Sequence, residues 1–233
     1  MSAEKPDRLE GIEACVFDAY GTLFDFASAA ARSAELPEEK RDAIAALWRE
    51  KQLQYTWLRS LQGRHTDFRR VTEDALDFAL ESFALDEPGL KDRLMELYLG
   101  LDPFPEAPEV LSELRRRGLR LAILSNGSPP MLAALVQRAG FTEALEAVLS
   151  VEAVGAFKTH PKVYQSALDT LALPARAIAF LSSNGWDAWG ASDFGLRGVW
   201  CNRRGAPRER LPGAPDFEAR TLADLPGLLG AAA

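Results

Sequence analysis

The 233-residue chain has little of what staples a small protein or marks an exported one: two cysteines, two histidines and three methionines. Cys15 and Cys201 each lie inside an apolar run that reads as a buried strand, so both are expected as buried thiols, which suits a reducing compartment. A chain of this length buries roughly 70% of the surface its unfolded form exposes and needs no cross-link to fold. It also lacks any apolar run long enough to cross a bilayer. The N-terminal MSAEKPDRLEG is charged where an export signal would be apolar, so a cytoplasmic protein without a membrane partner is expected. The formal net charge of −7 provides no excess of positive charge, which argues against nucleic acid as the main partner. The basic clusters Arg69-Arg70, Arg115-Arg116-Arg117 and Arg203 to Arg210 are expected as solvated faces, so an anionic ligand must be held by local positive charge.

What the chain does have is the balance of a globular protein, with 47% hydrophobic and 26% charged residues. Five apolar, β-rich runs stand out: Ile12 to Asp18, Leu119 to Ser125, Leu145 to Val151, Ala177 to Ser183 and Leu196 to Asn202. Helical patterns at Pro130 to Ala139, Pro161 to Leu171 and Trp186 to Phe194 separate the later ones. That alternation predicts an α/β fold whose parallel sheet is covered on both faces, with its chemistry at the carboxyl ends of the strands. The stretch after the first run carries only helical patterns, at Glu38 to Leu61, Asp67 to Phe83 and Leu90 to Leu101, and ends at Asp102-Pro103-Phe104-Pro105. Residues 25–103 are therefore expected to form a helical cap inserted into a core of residues 1–24 and 104–233. Ala231 to Ala233 reads as a frayed tail.

The strand ends collect polar residues. The first gives Asp18-Ala19-Tyr20-Gly21-Thr22, a carboxylate that backbone N–H groups and a hydroxyl can aim without a permanent partner, as a nucleophile requires. The second gives Ser125-Asn126-Gly127-Ser128 ahead of a helix, a natural anion seat in which Ser128 serves as the N-cap. Lys158 follows the third run, just ahead of Pro161 at the first position of a helix; beside Asp18 it would keep that carboxylate ionised. The fourth gives Ser182-Ser183-Asn184-Gly185-Trp186-Asp187. In the helix around Arg49, Ile44, Leu47, Trp48, Tyr55 and Leu58 form the expected packing stripe. Arg49, Leu53 and Trp57 fall on another face, where the arginine can meet a small anion or simply snorkel.

This ordered set of strand ends resembles the haloacid dehalogenase superfamily over nearly the whole chain, cap included. The resemblance implies a Rossmann-like core with a helical cap. Most members are Mg²⁺-dependent phosphohydrolases, with a second Asp two residues after the nucleophile and a carboxylate in the fourth motif. Here those places hold Tyr20 and the neutral Ser183-Asn184. A halide leaves without a proton, whereas an alkoxide does not, and Mg²⁺ favours carboxylate ligands. The run Leu-Trp-Arg-x-Lys-Gln-Leu-x-Tyr-x-Trp-Leu-Arg is similar to the L-2-haloacid dehalogenases in particular.

That resemblance implies hydrolysis of a small 2-haloacid anion through an aspartyl ester, with inversion at C2, no cofactor or metal, and a homodimer. Asp18 would be the nucleophile, oriented by Thr22 and Lys158 with Tyr164 and Ser182 in support. Ser125 and the N–H groups near Ala19 and Tyr20 would hold the carboxylate, Arg49 and Asn126 the halide, and Asp187 with Asn184 the water. Tyr20, Leu53, Phe68 and Trp186 would line apolar walls, although plain core packing also accounts for Phe68. Two departures stand out: Glu50 where relatives carry Gln, an acid expected to weaken anion binding, and Thr159-His160 where Pro commonly follows the lysine, expected to loosen its loop. His65 and His160 match no functional position and are expected as bystanders. The alternatives are a Mg²⁺-dependent small-molecule phosphatase of the same superfamily and a hydrolase of a strained-ring amino acid.

Overall fold

The computed structural model describes residues 8–26, 29, 32–33 and 36–230. The expected tail at 231–233 and most of the charged N-terminus lie outside them. The strands are β1 (Ala14–Phe17), β2 (Arg120–Ser125), β3 (Ala147–Ser150), β4 (Ile178–Ser182), β5 (Arg197–Cys201) and β6 (Phe217–Ala219). They pair in parallel in the order β3-β2-β1-β4-β5-β6. Every residue of β1 and β4 is buried, which is why these strands read as unbroken apolar runs. The short β6 has no apolar run of its own and its sequence does not announce it. The chain moves outward from β1 through β2 to β3, then crosses back to β4 on the other side of β1. The order thus reverses at β1, and a crevice opens between the ends of β1 and β4, the usual ligand position of such sheets.

The long connection from β1 to β2 contains α1 (Arg41–Leu61), α2 (Phe68–Ser82) and α3 (Leu90–Leu99), then α4 (Ala107–Arg116) against the sheet. Asp67 N-caps α2, accepting a hydrogen bond from Arg69 N at 2.6 Å. The buried face of α1 is Ile44, Trp48, Gln52 and Thr56, at successive i+4 positions. This corrects the apolar stripe expected from the sequence: Leu58 is 46% exposed, while two polar residues lie inside. Thr56 Oγ1 donates back to Leu53 O of its own helix at 2.6 Å, whereas Gln52 takes its partners from α2 and α3. Gln52 Nε2 donates to Thr72 Oγ1 at 2.8 Å and Tyr98 Oη at 3.1 Å, and Trp48 Nε1 donates to Thr72 O at 2.9 Å.

The remaining helices are α5 (Pro129–Arg138), α6 (Pro161–Leu171), α7 (Gly185–Phe194) and α8 (Leu225–Leu228). Pro161 stands in the first turn of α6, as its fixed φ favours, and His160 caps that helix by accepting from Lys162 N. Ser128 is the N-cap residue of α5, yet its side chain makes no capping hydrogen bond, contrary to expectation. Arg69 and Arg70 pair with Glu73 and Asp74 one turn on, and Arg116 and Arg117 with Glu113. Arg203 departs from the solvated face expected for its cluster. Its guanidinium lies 3.6 Å from the Phe104 ring centroid and donates to Glu106 Oε1 at 2.6 Å and Thr22 O at 3.0 Å. No helix among the described residues is long and apolar enough to cross a membrane. Both cysteines are buried and unpaired, and burial raises the Cys15 thiol pKa to about 12.

Candidate active site

Asp18 follows β1 directly, and its backbone N–H extends the ladder to Leu181 O in β4. Gly21, at φ +87°, then turns the chain so that Thr22 folds back toward the carboxylate. Asp18 Oδ1 accepts from Lys158 Nζ at 3.0 Å. Oδ2 accepts from Asn184 Nδ2 at 2.7 Å, Thr22 Oγ1 at 3.2 Å and Ser182 Oγ at 3.4 Å. Around Oδ2 the donors are in turn fixed: Thr22 Oγ1 accepts from Ser183 N at 2.8 Å, and Ser182 Oγ from Asn184 N at 3.2 Å.

The second carboxylate, Asp187 on the first turn of α7, is fully buried. It accepts from Lys158 Nζ at 2.8 Å and Tyr164 Oη at 2.8 Å. The Lys158 ammonium thus bridges Asp18 and Asp187. Burial works against that ammonium, but the two carboxylates outweigh it and raise its pKa above 10.5. Asp187 moves the other way from most paired carboxyls. Burial raises its pKa above 3.8, with Asp18's charge adding to the rise and Lys158 only partly opposing it. Burial and Asp187 together push the Tyr164 phenol well above 10, so it remains a donor.

The loop carrying Lys158 is not loosened by its Thr159-His160 sequence. Lys158 is 1% exposed and its backbone N–H donates to Asn126 Oδ1 at 3.0 Å. Thr159 packs on α7 at Gly190, where a Cβ would lie 2.6 Å from its methyl and 3.0 Å from Tyr164 Oη. The Lys158–Thr159 peptide is cis.

From α1, Arg49 reaches across to Asn184, donating to its Oδ1 at 3.2 Å, and to Gln52 Oε1 at 2.7 Å. Phe26 lies beneath, with its ring centroid 5.2 Å from the guanidinium carbon. Arg49 therefore does not snorkel to solvent. Glu50 is exposed and takes no part in these hydrogen bonds, so the acid expected near the anion faces water.

Ser125 is buried at the end of β2, where its Oγ accepts from Gly127 N at 3.1 Å and retains a hydroxyl hydrogen to donate. The N–H groups of Ala19 and Tyr20 have no acceptor among the described residues. Tyr20 is buried between Phe68 and Tyr98, at 5.6 and 5.3 Å, and its Oη has no hydrogen-bond partner. Its ring passes so close to Gly127 that a Cβ there would lie 2.8 Å from Cε2. Trp186 meets Trp57 of α1 edge-on at 5.4 Å, while Leu53 is half-buried on the same helix and makes no polar contact with the network. His65 lies elsewhere, its Nε2 2.8 Å from Glu152 Oε2 and its ring on Phe157.

Asp18, Thr22, Arg49, Lys158, Tyr164, Ser182, Asn184 and Asp187 thus form one connected network, with Asn126 joined through the Lys158 backbone. Sequence reasoning missed Gln52 and Phe26, which fix Arg49 together with Asn184. Gln52 was visible in the run Leu-Trp-Arg-x-Lys-Gln-Leu, three positions beyond the arginine, but had no assigned role.

The family model for haloacid dehalogenase-like hydrolases matches residues 12–195. The chain belongs to this family. It is 45% identical over 215 residues to an (S)-2-haloacid dehalogenase of Pseudomonas sp. strain YL, covering 92% of this chain and 93% of that one. It is 40% identical over 243 residues to the (S)-2-haloacid dehalogenase of Xanthobacter autotrophicus, covering 94% and 95%. Among solved structures it superposes on the Xanthobacter autotrophicus L-2-haloacid dehalogenase with chloropropionic acid covalently bound, at TM-score 0.85 and 38% identity, over 93% of this chain and 98% of that one. Within the family, hydrolases that use a divalent cation need acceptors facing it. Here Asp18 faces an ammonium, an amide NH₂ and two hydroxyls, all donors, and this set does not fit Mg²⁺. No group of three or more His, Cys, Asp or Glu suited to a metal occurs among the described residues.

Proposed function

We propose that the chain hydrolyses short (S)-2-haloalkanoic acids to (R)-2-hydroxyalkanoic acids through an ester on Asp18. The observation that carries this reading is the donor shell of Asp18: a bridging ammonium and an amide hold and aim the carboxylate, and Tyr20 stands where an alkoxide leaving group would need an acid. Ser125 and the N–H groups of Ala19 and Tyr20 hold the substrate carboxylate. Asp18 then attacks C2 opposite the halogen; the C–O bond forms as the carbon–halogen bond breaks, and halide departs toward Arg49 and Asn126. In-line displacement inverts C2.

Asp187 next takes a proton from water, whose oxygen attacks Cγ of Asp18 while Thr22, Ser182 and Asn184 stabilise the developing oxyanion. Collapse breaks the bond from Cγ to the C2 oxygen, which leaves with the proton held by Asp187 as the hydroxyl of the product. The remaining carboxyl proton passes to solvent and the Asp18 carboxylate is restored, so one water is consumed and one halide and one proton are formed per turnover. Tyr20, Leu53, Phe68 and Trp186 enclose the alkyl group. In this reading residues 25–103 act as a cap over a core of residues 1–24 and 104–233, and the working form is a cytoplasmic homodimer.

The test is halide release from each enantiomer of 2-chloropropionate in the presence of EDTA. Turnover of the S form alone, at a rate the chelator leaves unchanged, is expected. Equal rates on both enantiomers, or loss of activity with EDTA, would overturn the reading.

A further inference from the structure

Glu152 stands on a single turn directly after β3, yet its side chain reaches the long connection that holds α1 to α3. Its Oε1 accepts from Phe68 N at 3.0 Å, and its Oε2 lies 2.8 Å from His65 Nε2. Phe68 is the first residue of α2, and the opening N–H groups of a helix have no partner within it. Asp67 takes the N–H of Arg69. Glu152 takes that of Phe68 and sets a carboxylate at the positive end of the helix. An ionised carboxylate only accepts, so His65 Nε2 carries the hydrogen between the two side chains. The imidazole Nδ1 is buried without a partner, so the hydrogen bonding of this ring rests on Glu152.

Glu152 is also tied to the expected seat of the substrate carboxylate. Its N–H donates to Ser150 Oγ at 3.2 Å, and that hydroxyl donates to Gly127 O at 2.7 Å. Gly127 N in turn donates to Ser125 Oγ. One line of hydrogen bonds therefore runs from Ser125 to the start of α2. At its far end Phe68 packs on Tyr20, two residues after Asp18, and on Phe157, just before Lys158, at 5.6 and 6.1 Å. His65 packs on the same Phe157 at 4.6 Å.

We propose that Glu152 is a positioning residue for substrate specificity. By joining the start of α2 to the Ser125 turn, it sets how far the Phe68 wall stands from the substrate carboxylate, and so which C2 substituent the site favours. This rests on the dehalogenase reading, in which Phe68 borders the alkyl group. Glu152 touches none of the groups assigned to the two displacements. Without its carboxylate, Phe68 N and the His65 ring lose their acceptor together, and the first turn of α2 can draw away from Tyr20. Contact with an alkyl group is alike in bound substrate and transition state, so its loss falls on KM more than on kcat.

Chloroacetate has no C2 substituent and serves as the internal reference. In Glu152→Ala, kcat/KM for (S)-2-chloropropionate is expected to fall about fourfold relative to that for chloroacetate, mostly through KM, the effect of one methyl no longer enclosed. A loss of folded protein lowers both rates alike and cancels in the ratio. Glu152→Gln keeps an oxygen for Phe68 N and should restore the wild-type ratio. Glu152→Asp stops one methylene short and should shift the ratio in the same direction as Glu152→Ala, which keeps the test valid if Glu152→Ala folds poorly. A ratio unmoved in Glu152→Ala and Glu152→Asp, or moved equally in Glu152→Gln, would overturn the proposal and leave Glu152 a role in stability alone. Chloride release from neither substrate by the wild-type protein would instead remove the dehalogenase reading, and this proposal with it.

Discussion

Asp18 and Asp187 share one ammonium but face different shells, and the difference assigns their tasks. Asp18 takes hydrogen bonds from Lys158, Asn184, Thr22 and Ser182, which fix and aim its carboxylate. Asp187 is fully buried with only Lys158 and Tyr164 as side-chain donors, and burial raises its pKa. A base whose pKa is raised accepts a proton from water more readily than an ordinary carboxylate. Replacing it should therefore separate the two half-reactions. In Asp187→Asn the ester still forms, because nothing in the first displacement needs a base, but its hydrolysis should slow by about 10²- to 10⁴-fold, the usual contribution of a general base. Mass spectrometry of this variant after mixing with (S)-2-chloropropionate should show the acyl group on the peptide containing Asp18. An unmodified protein that still turns over slowly would remove Asp187 from the second step. The candidates at the strand ends were legible from sequence because each is a polar residue where an apolar run stops. Their wiring was not: that Lys158 touches both carboxylates depends on a chain separation of 140 and 29 residues closing in space.

At the scale of elements, α1 shows what helical period can and cannot reveal. Its length and the separate face of Arg49 are legible from spacing. The burial of Gln52 in place of Leu58 is not, because it depends on where Thr72 of α2 and Tyr98 of α3 stand. Gln52 links the helix packing to the site: its amide nitrogen serves Thr72 and Tyr98 while its oxygen accepts from Arg49. Gln52→Leu keeps the volume but leaves a phenol, a hydroxyl and a guanidinium each short of a partner. The expected cost is about 1–3 kcal/mol of stability. Because Arg49 loses an anchor, kcat/KM on (S)-2-chloropropionate should also fall about 10- to 100-fold, as one lost charge-assisted hydrogen bond implies. Thr72→Val is the control, removing a Gln52 partner while leaving Arg49 anchored. It should lower the midpoint of urea unfolding with activity retained in the folded fraction. Equal activity losses in the two variants would mean that Gln52 acts through general packing alone.

Across the whole molecule, a buried thiol, three buried phenols and Lys158 hold their protons more tightly than usual, and this sets how the fold responds to alkali. Burial raises Cys15 and Tyr98 to about 12, and holds Tyr20 and Tyr164 well above 10. Lys158, opposed by burial but held by Asp18 and Asp187, also keeps its proton above 10.5. In each case the folded state binds a proton more tightly than the unfolded chain, whose groups titrate near 9.0, 10.0 and 10.5. The stability these groups contribute is therefore fully present below those values and is lost as pH rises, by about 1.4 kcal/mol per pH unit for each proton the folded state retains and the unfolded state has released. The decline should begin near pH 9 with the thiol and steepen above 10, where the tyrosines and Lys158 join. When Lys158 finally loses its proton, Asp18 and Asp187 are left as buried carboxylates without their shared cation, which reinforces the collapse. Of the four tyrosines, Tyr20, Tyr98 and Tyr164 are buried. Phenolate absorbance at 295 nm, followed with far-ultraviolet circular dichroism, should therefore show most of the tyrosines ionising together in one step coincident with loss of helix. A smooth titration of all four near pH 10 with the helical signal intact would show that the core does not hold these protons.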